Sequence, residues 1–153
     1  MARRRKRLRL VIDTMAVVRG ARALRQRPPV PDTPELILIL SWMEDERAFD
    51  WLFSETILDE YSEVLRRLKV PRNAIGRFIN LLRDGGFLIE VKDRGEYSPD
   101  PKDDPFYRCA LDGDADYIVT DNARDFPPVK GRKKLAVVPP AEVIRLLHLT
   151  FEF

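Results

Sequence analysis

Four acidic residues far apart in the chain, Asp13, Glu60, Asp103 and Asp121, have the types and local settings of one divalent-metal site. Asp13 ends the apolar-leaning run Leu8-Arg9-Leu10-Val11-Ile12, and Asp121 follows Tyr117-Ile118-Val119-Thr120; Glu60 lies in a helical pattern and Asp103 precedes another. In an open α/β sheet the crevice beyond the carboxyl ends of the strands gathers side chains that are distant in sequence. Carboxylates brought together there repel one another. A hard cation such as Mg²⁺ or Mn²⁺, which prefers oxygen ligands, relieves that repulsion and can activate water against a phosphodiester, the chemistry of a nuclease.

Each acid also has a plainer reading. Asp13, between a strand and a helix, could simply cap free backbone N–H groups; the buried character of the run before it and the neighbouring Thr14 hydroxyl favour a ligand. Around Glu60 the apolar residues Ile57, Leu58, Tyr61, Val64, Leu65 and Leu68 form one helical stripe. At about 100° per residue Glu60 lies at the edge of that stripe, whereas Asp59 and Glu63 point further toward solvent. The alternative for Glu60 is a surface charge paired with an arginine such as Arg67. Asp103 is spaced i, i+3, i+4, i+7 with Phe106, Tyr107 and Ala110, so a helical turn reaching back to it would face it toward the sheet. Asp104, directly before Pro105, is expected to cap the helix or to support the site from outside. Thr120, Asp121 and Asn122 follow a strand, and either Asp121 or Asn122 could supply the fourth oxygen; a plain turn is the alternative. Asp125-Phe126-Pro127 is expected only to end the segment, and Arg124 could touch phosphate.

The elements that must position these residues read as alternating strands and helices. Strands are expected at residues 8–12, 49–53, 87–91, 116–120 and 135–138. Helices are expected at 15–24, from Thr33-Pro34-Glu35 (with a capping hydroxyl) to Met43, from a Ser54 cap to about 69, at 74–84, from Pro105 to near Gly113, and from Pro140 to about 149. Trp42 is expected in the core rather than as a base-stacking platform. Residues 28–31, rich in proline, read as extended loop, and residues 92–102 as a long loop. The fold class is therefore α/β: a three-layer α/β/α sandwich with a mainly parallel central sheet.

A chain of 153 residues with 44 % apolar residues fits one domain, here residues 9–150, behind a basic arm at residues 1–8. Arg3, Arg4, Arg5, Lys6, Arg7 and Arg9 are six of 27 basic residues; the other 21 face 25 acids, so the body is net −4 although the whole is +2. Such an arm can hold a phosphate backbone. One cysteine, Cys109, excludes an internal disulfide, and one histidine, His148, leaves no zinc-ligand spacing. No signal-peptide core and no apolar stretch of about 18 residues is present, so a cytoplasmic location and no membrane contact are expected.

With these residues in place the chain resembles the PIN-domain family of metal-dependent ribonucleases, of the VapC-like toxin type, from about residue 8 to residue 147. Three stretches carry the resemblance: Val11-Ile12-Asp13-Thr14; Ser54 through Ile57-Leu58-Asp59-Glu60 to Val64-Leu65; and Asp103-Asp104 through Cys109-Ala110-Leu111 into Ala115-Asp116-Tyr117-Ile118-Val119-Thr120-Asp121-Asn122. The resemblance implies that Asp13, Glu60 and Asp103 bind Mg²⁺ or Mn²⁺ with Asp121 or Asn122 as the fourth contributor. It also implies a toxin-antitoxin role, with an antitoxin protein as partner and a homodimer as assembly. Met15 and Asn122 depart from the family pattern, which often has Asn and an acid there, and the segment from Arg19 to Pro34 is longer than usual.

The expected activity is hydrolysis of RNA phosphodiester bonds by metal-activated water, with Asp13, Glu60, Asp103 and Asp121 catalytic, Thr14, Asp104, Thr120 and Asn122 supporting, and Arg19, Arg22 and Arg124 on RNA. Residues 130–134, with four further cations, are a second place for RNA to bind. Phosphoryl transfer through an aspartyl phosphate is disfavoured, because Asp13-Thr14-Met15 supplies one acid where Asp-x-Asp is needed. The rival from another class is a catalytically weak or inactive module that binds RNA or protein.

Overall fold

The computed structural model describes residues 7–25, 33–44, 48–129 and 135–149. The expected basic arm up to Lys6, the proline-rich loop at 28–31 and the cations of 130–134 lie outside the described residues.

Among the described residues five strands, β1 (Arg9–Ile12), β2 (Asp50–Phe53), β3 (Phe87–Leu88), β4 (Tyr117–Val119) and β5 (Ala136–Val138), form one parallel sheet in the order β3-β2-β1-β4-β5. β1 is central, and its Leu10, Val11 and Ile12 are fully buried, as both faces of a parallel sheet covered by helices require. The described residues form six helices: α1 (Thr14–Arg25), α2 (Pro34–Met43), α3 (Glu55–Arg67), α4 (Arg72–Gly85), α5 (Asp104–Asp112) and α6 (Pro140–Leu147). α1 packs on α2 and α3, α3 on α4, and α2 on α6, while α5 lies on β1, β2 and β4. The arrangement is the expected three-layer α/β/α sandwich. Its core carries Trp42, Trp51, Phe49, Phe53, Tyr61, Phe106 and Tyr107 at no more than 1 % exposure, Trp42 edge-on to Trp51 with ring centroids 5.1 Å apart.

The chain runs outward from β1 to β2 and β3, then returns to the other side of β1 for β4 and β5. β1 and β4 are thus neighbours at the point where the strand order reverses, and side chains that follow them share the crevice at their carboxyl ends. The ladder register places Ile12 beside Val119, and the Asp13 N–H continues it to the Val119 carbonyl at 2.9 Å.

Three local expectations are corrected. Thr33 occupies the N-cap of α2, but its hydroxyl makes no capping bond. β3 is two residues long rather than five; after Ile89 donates its N–H to the Phe53 carbonyl at 2.7 Å the chain leaves the sheet, although Ile89 and Val91 still pack on the core. Asp104 is the first residue of α5 rather than its cap. Its carboxylate instead accepts from the N–H groups of Tyr97 and Ser98, both at 2.9 Å, which ties the long loop to the helix. Asp112, at the other end of α5, does the same for Lys92 and Asp93 at 2.6 and 2.8 Å.

Candidate metal centre

Asp13 stands where β1 gives way to α1 and is 7 % exposed. Its Oδ2 accepts a 2.8 Å hydrogen bond from the Thr120 hydroxyl, which follows β4 and is itself fully buried. Thr120 also accepts from the Asn122 N–H at 3.0 Å, so one hydroxyl couples the ends of both strands. Burial pushes the Asp13 pKa up; the Thr120 hydroxyl and the Thr14 N–H oppose the shift, Glu60 adds to it, and Arg19 pulls against it.

α3 brings the second carboxylate. Ser54 caps the helix by accepting from the Ile57 N–H at 3.2 Å, and the buried stripe Ile57, Leu58, Tyr61 and Leu65 fixes which face turns inward. The Tyr61 hydroxyl donates to the Ile12 carbonyl and so pins α3 to the end of β1. Glu60, half-buried at the edge of the stripe, accepts a hydrogen bond from the Thr14 hydroxyl. Asp59 and Glu63 are exposed, and it is Glu63, not Glu60, that pairs with Arg67 at 2.6 Å.

The third comes from the start of α5. A 3₁₀ turn, Pro101–Asp103, runs directly into the helix, so the helical turn does reach back to Asp103. Asp103 is half-buried, and its pKa is pushed up to about 6, first by burial and then by the negative charges of Asp13, Asp100, Asp125 and Glu60. Asp13, Glu60 and Asp103 therefore lie in one another's fields. Asp125, expected only to end its segment, contributes to that field from a 3₁₀ turn, Ala123–Asp125.

Asp121 is arranged differently. Its Oδ2 accepts from the Arg19 guanidinium of α1 at 2.7 Å, and it lies near enough to Glu35 of α2 to raise that residue's pKa. The Asn122 side chain donates to Asp125. Arg19, expected on RNA, thus contacts an acid, while Arg22 and Arg124 are exposed. Among the described residues no three His, Cys, Asp or Glu side chains are arranged as a metal-holding group. Glu60 is engaged by Thr14 and Asp121 by Arg19. The donor set is nonetheless all carboxylate oxygen, the ligand type a hard dication prefers, and burial, more than the neighbouring charges, raises the pKa values of Asp13 and Asp103, so in donor chemistry the residues fit such a cation.

Glu35 was not anticipated. It is 7 % exposed, and its pKa is raised by burial and by the neighbouring Asp121. Its signal in the sequence is that it is the one charged residue in the otherwise apolar Pro34–Met43. Cys109 is buried in α5 and its thiol is pushed up to about 12, chiefly by burial, so it is no nucleophile. Among the described residues no helix is long and apolar enough to cross a membrane.

A family model described as a PIN domain matches residues 9–124, from β1 through the turn after β4. No curated protein matches the chain. PIN domains are generally nucleases that act on RNA, so a nuclease-type, hydrolytic function follows in general terms. With the match spanning about three quarters of its length, and every acid discussed above inside it apart from Asp125, the chain belongs to the PIN-domain family.

Proposed function

We propose that the protein is a metal-dependent endoribonuclease that hydrolyses RNA phosphodiester bonds with Mg²⁺ or Mn²⁺. The observation that supports this reading best is that β1, α3 and α5 bring Asp13, Glu60 and Asp103 to the reversal point of the sheet, close enough that the charges of Asp13 and Glu60 add to the burial that raises the Asp103 pKa. These three carboxylates would hold the cation, with Asp121 or Asn122 as fourth contributor. When bound, such a cation supplies Lewis acidity to the phosphate and makes water acidic enough to attack at neutral pH. Thr120 and Thr14 orient Asp13 and Glu60 through their hydroxyls. Asp104 keeps the loop of residues 92–100 folded against α5 beside Asp103. Arg22 and Arg124 lie exposed to meet the RNA backbone, and Arg19 meets it through its position beside Asp121.

The toxin role, with an antitoxin protein as partner, a cytoplasmic location and a homodimeric assembly, is part of this proposal and rests on the family resemblance. Met15, Leu24 and Met43, exposed on α1 and α2, are apolar groups that an antitoxin would cover. Induced expression is expected to arrest growth, with Asp13→Asn relieving the arrest; equal arrest by both proteins would remove the toxin role.

The enzyme itself is tested with a panel of structured and single-stranded RNAs. Cleavage by the wild type with Mg²⁺ or Mn²⁺, lost in chelator and in Asp13→Asn, is expected. A wild type that gains thermal stability from the cations but cuts no RNA would favour the inactive binding module, and cleavage unchanged by Asp13→Asn would indicate a contaminant.

A further inference from the structure

In the turn after β4 two side chains are bonded to each other, and the chemistry of one decides how the other stands. Asn122 is anchored by its main chain: its N–H donates to the Thr120 hydroxyl at 3.0 Å, and that hydroxyl donates in turn to Asp13 Oδ2 at 2.8 Å. The Asn122 side chain donates through Nδ2 to the carboxylate of Asp125, three residues on in the 3₁₀ turn Ala123–Asp125. Asp125 has anchors of its own. Its N–H donates to the Asn122 carbonyl at 3.1 Å, and its carbonyl accepts from the Ser98 hydroxyl at 3.0 Å. The Ser98 N–H is held by the Asp104 carboxylate at the head of α5, so the pair is tied to the helix that begins beside Asp103.

An amide side chain ends in a nitrogen that only donates and an oxygen that only accepts, the two being of similar size. A hard cation distinguishes them sharply, because it takes oxygen ligands, the side-chain oxygen of Asn among them. A carboxylate beside the amide removes the ambiguity. It accepts and cannot donate, so Asn122 turns its nitrogen to Asp125 and its oxygen is left on the opposite edge of the amide. The fourth place in a site of carboxylates can therefore be filled by an amide whose direction a neighbour sets. We propose that Asp125 is a positioning residue of the nuclease site: by holding the Asn122 nitrogen it presents the Asn122 oxygen as the fourth ligand atom beside Asp13, Glu60 and Asp103. Asp121, bonded to Arg19 at 2.7 Å, is then the partner of that arginine and not the fourth ligand. The negative charge of Asp125 reaches Asp103, which puts the Asn122–Asp125 pair at the same crevice. This rests on the nuclease reading, since the direction of the amide matters only if the acids hold a cation.

Asp125→Asn and Asp125→Ala separate orientation from charge. Both remove the charge, but Asp125→Asn keeps an oxygen that accepts from the Asn122 nitrogen, whereas Asp125→Ala does not. Residue 125 is exposed and Ser98 holds its main chain, so the turn keeps that anchor in both. Two quantities are read: the Kd for Mn²⁺ by calorimetry on the RNA-free protein, and kcat and KM for RNA cleavage. Loss of a partner that orients a ligand typically weakens metal binding or activity by about tenfold to a hundredfold. Asp125→Ala is expected to weaken Mn²⁺ binding and to lower kcat by about tenfold or more, with KM little changed, and Asp125→Asn to recover most of both. Asn122→Asp supplies an oxygen whichever way the group turns, so in that background Asp125→Ala should add little further loss. If the alanine variant folds poorly, Asp125→Leu, which fills the volume without an acceptor, carries the same comparison.

Asp125→Asn as damaging as Asp125→Ala overturns the orienting role and makes the charge of Asp125, as a ligand or as a field, the thing required. A wild type that binds Mn²⁺ and cleaves RNA, beside alanine and leucine variants indistinguishable from it, overturns the role of Asp125 alone. The same holds if the loss is as large in the Asn122→Asp background as in the wild type, or if KM alone changes. A wild type that neither binds Mn²⁺ nor cleaves RNA overturns the nuclease reading, and the role of Asp125 with it.

Discussion

Thr120→Val isolates the hydroxyl that ties the two central strand ends together. The substitution keeps the branched shape at a fully buried position and removes two bonds: the donor to Asp13 Oδ2 at 2.8 Å and the acceptor of the Asn122 N–H at 3.0 Å. A hydrogen bond to an ionised group contributes about 1.5–3 kcal/mol and a neutral one about 1 kcal/mol. Burial of the added methyl group offsets about 0.8 kcal/mol, leaving a net loss of about 2–3 kcal/mol. For a domain of this size each kcal/mol lowers Tm by about 2–4 °C, so a fall of about 4–12 °C is expected. Thr120→Ser keeps both bonds and loses one methyl group, about 1 kcal/mol, or a fall of about 2–4 °C. The assay is thermal unfolding by circular dichroism, in chelator and again with Mn²⁺. The valine protein should also gain less from Mn²⁺, because Asp13 loses the strongest interaction opposing its burial and holds its proton more tightly. Equal melting of the valine and serine proteins would refute the coupling of the strand ends through this hydroxyl.

Three other outcomes are expected. An acid whose folded pKa lies above its unfolded value binds its proton more tightly when folded; Asp103, raised from 3.8 to about 6, therefore lowers stability as pH rises through that interval. The Tm gain given by Mn²⁺ should then be larger at about pH 7.5 than at about pH 5, and an equal gain at both would place cation binding elsewhere. Asp104→Ala leaves the Tyr97 and Ser98 N–H groups without their acceptor, so a loss of about 2–4 kcal/mol in denaturant unfolding and faster amide exchange in residues 92–100 are expected; unchanged exchange would show that the loop holds itself. Gly20→Val should separate α1 from α2 and lower Tm by several degrees, and a variant as stable as the wild type would contradict the close approach at Glu35.

Much of the placement of the candidate site's residues was legible in the sequence because its determinants are local. The apolar run of β1 stops at Asp13, so the strand end and the acid are found together. The stripe on α3 separates Glu60 from Asp59 and Glu63 by angle alone, and the structure places the latter two in solvent. What was not legible depends on contacts between distant segments. Glu35 looks like an ordinary first-turn acid until α2 is packed on α1, and that packing is permitted by Gly20, fifteen positions earlier. Asp104 before a proline has the pattern of a cap, but the 3₁₀ turn moves the helix start back by one residue and frees its carboxylate for the Tyr97 and Ser98 N–H groups. At the turn after β4, neighbouring positions face different partners, so Asp121 meets Arg19 while Asn122 meets Asp125, and composition alone cannot separate the two. Strand β3 was overextended because Ile89 and Val91 are apolar for packing, not for pairing.

The most direct measurement is single-turnover RNA cleavage with Mn²⁺ by Glu60→Gln beside Glu63→Gln. The two residues are nearly one turn apart on α3 and differ in direction: Glu60 is bound to Thr14 at the crevice, and Glu63 is paired with Arg67 in solvent. If Asp13, Glu60 and Asp103 are the working centre, the Glu60 variant loses about a hundredfold in rate while the Glu63 variant cleaves as the wild type does. Equal rates in the two variants would contradict a nuclease centre built on these carboxylates.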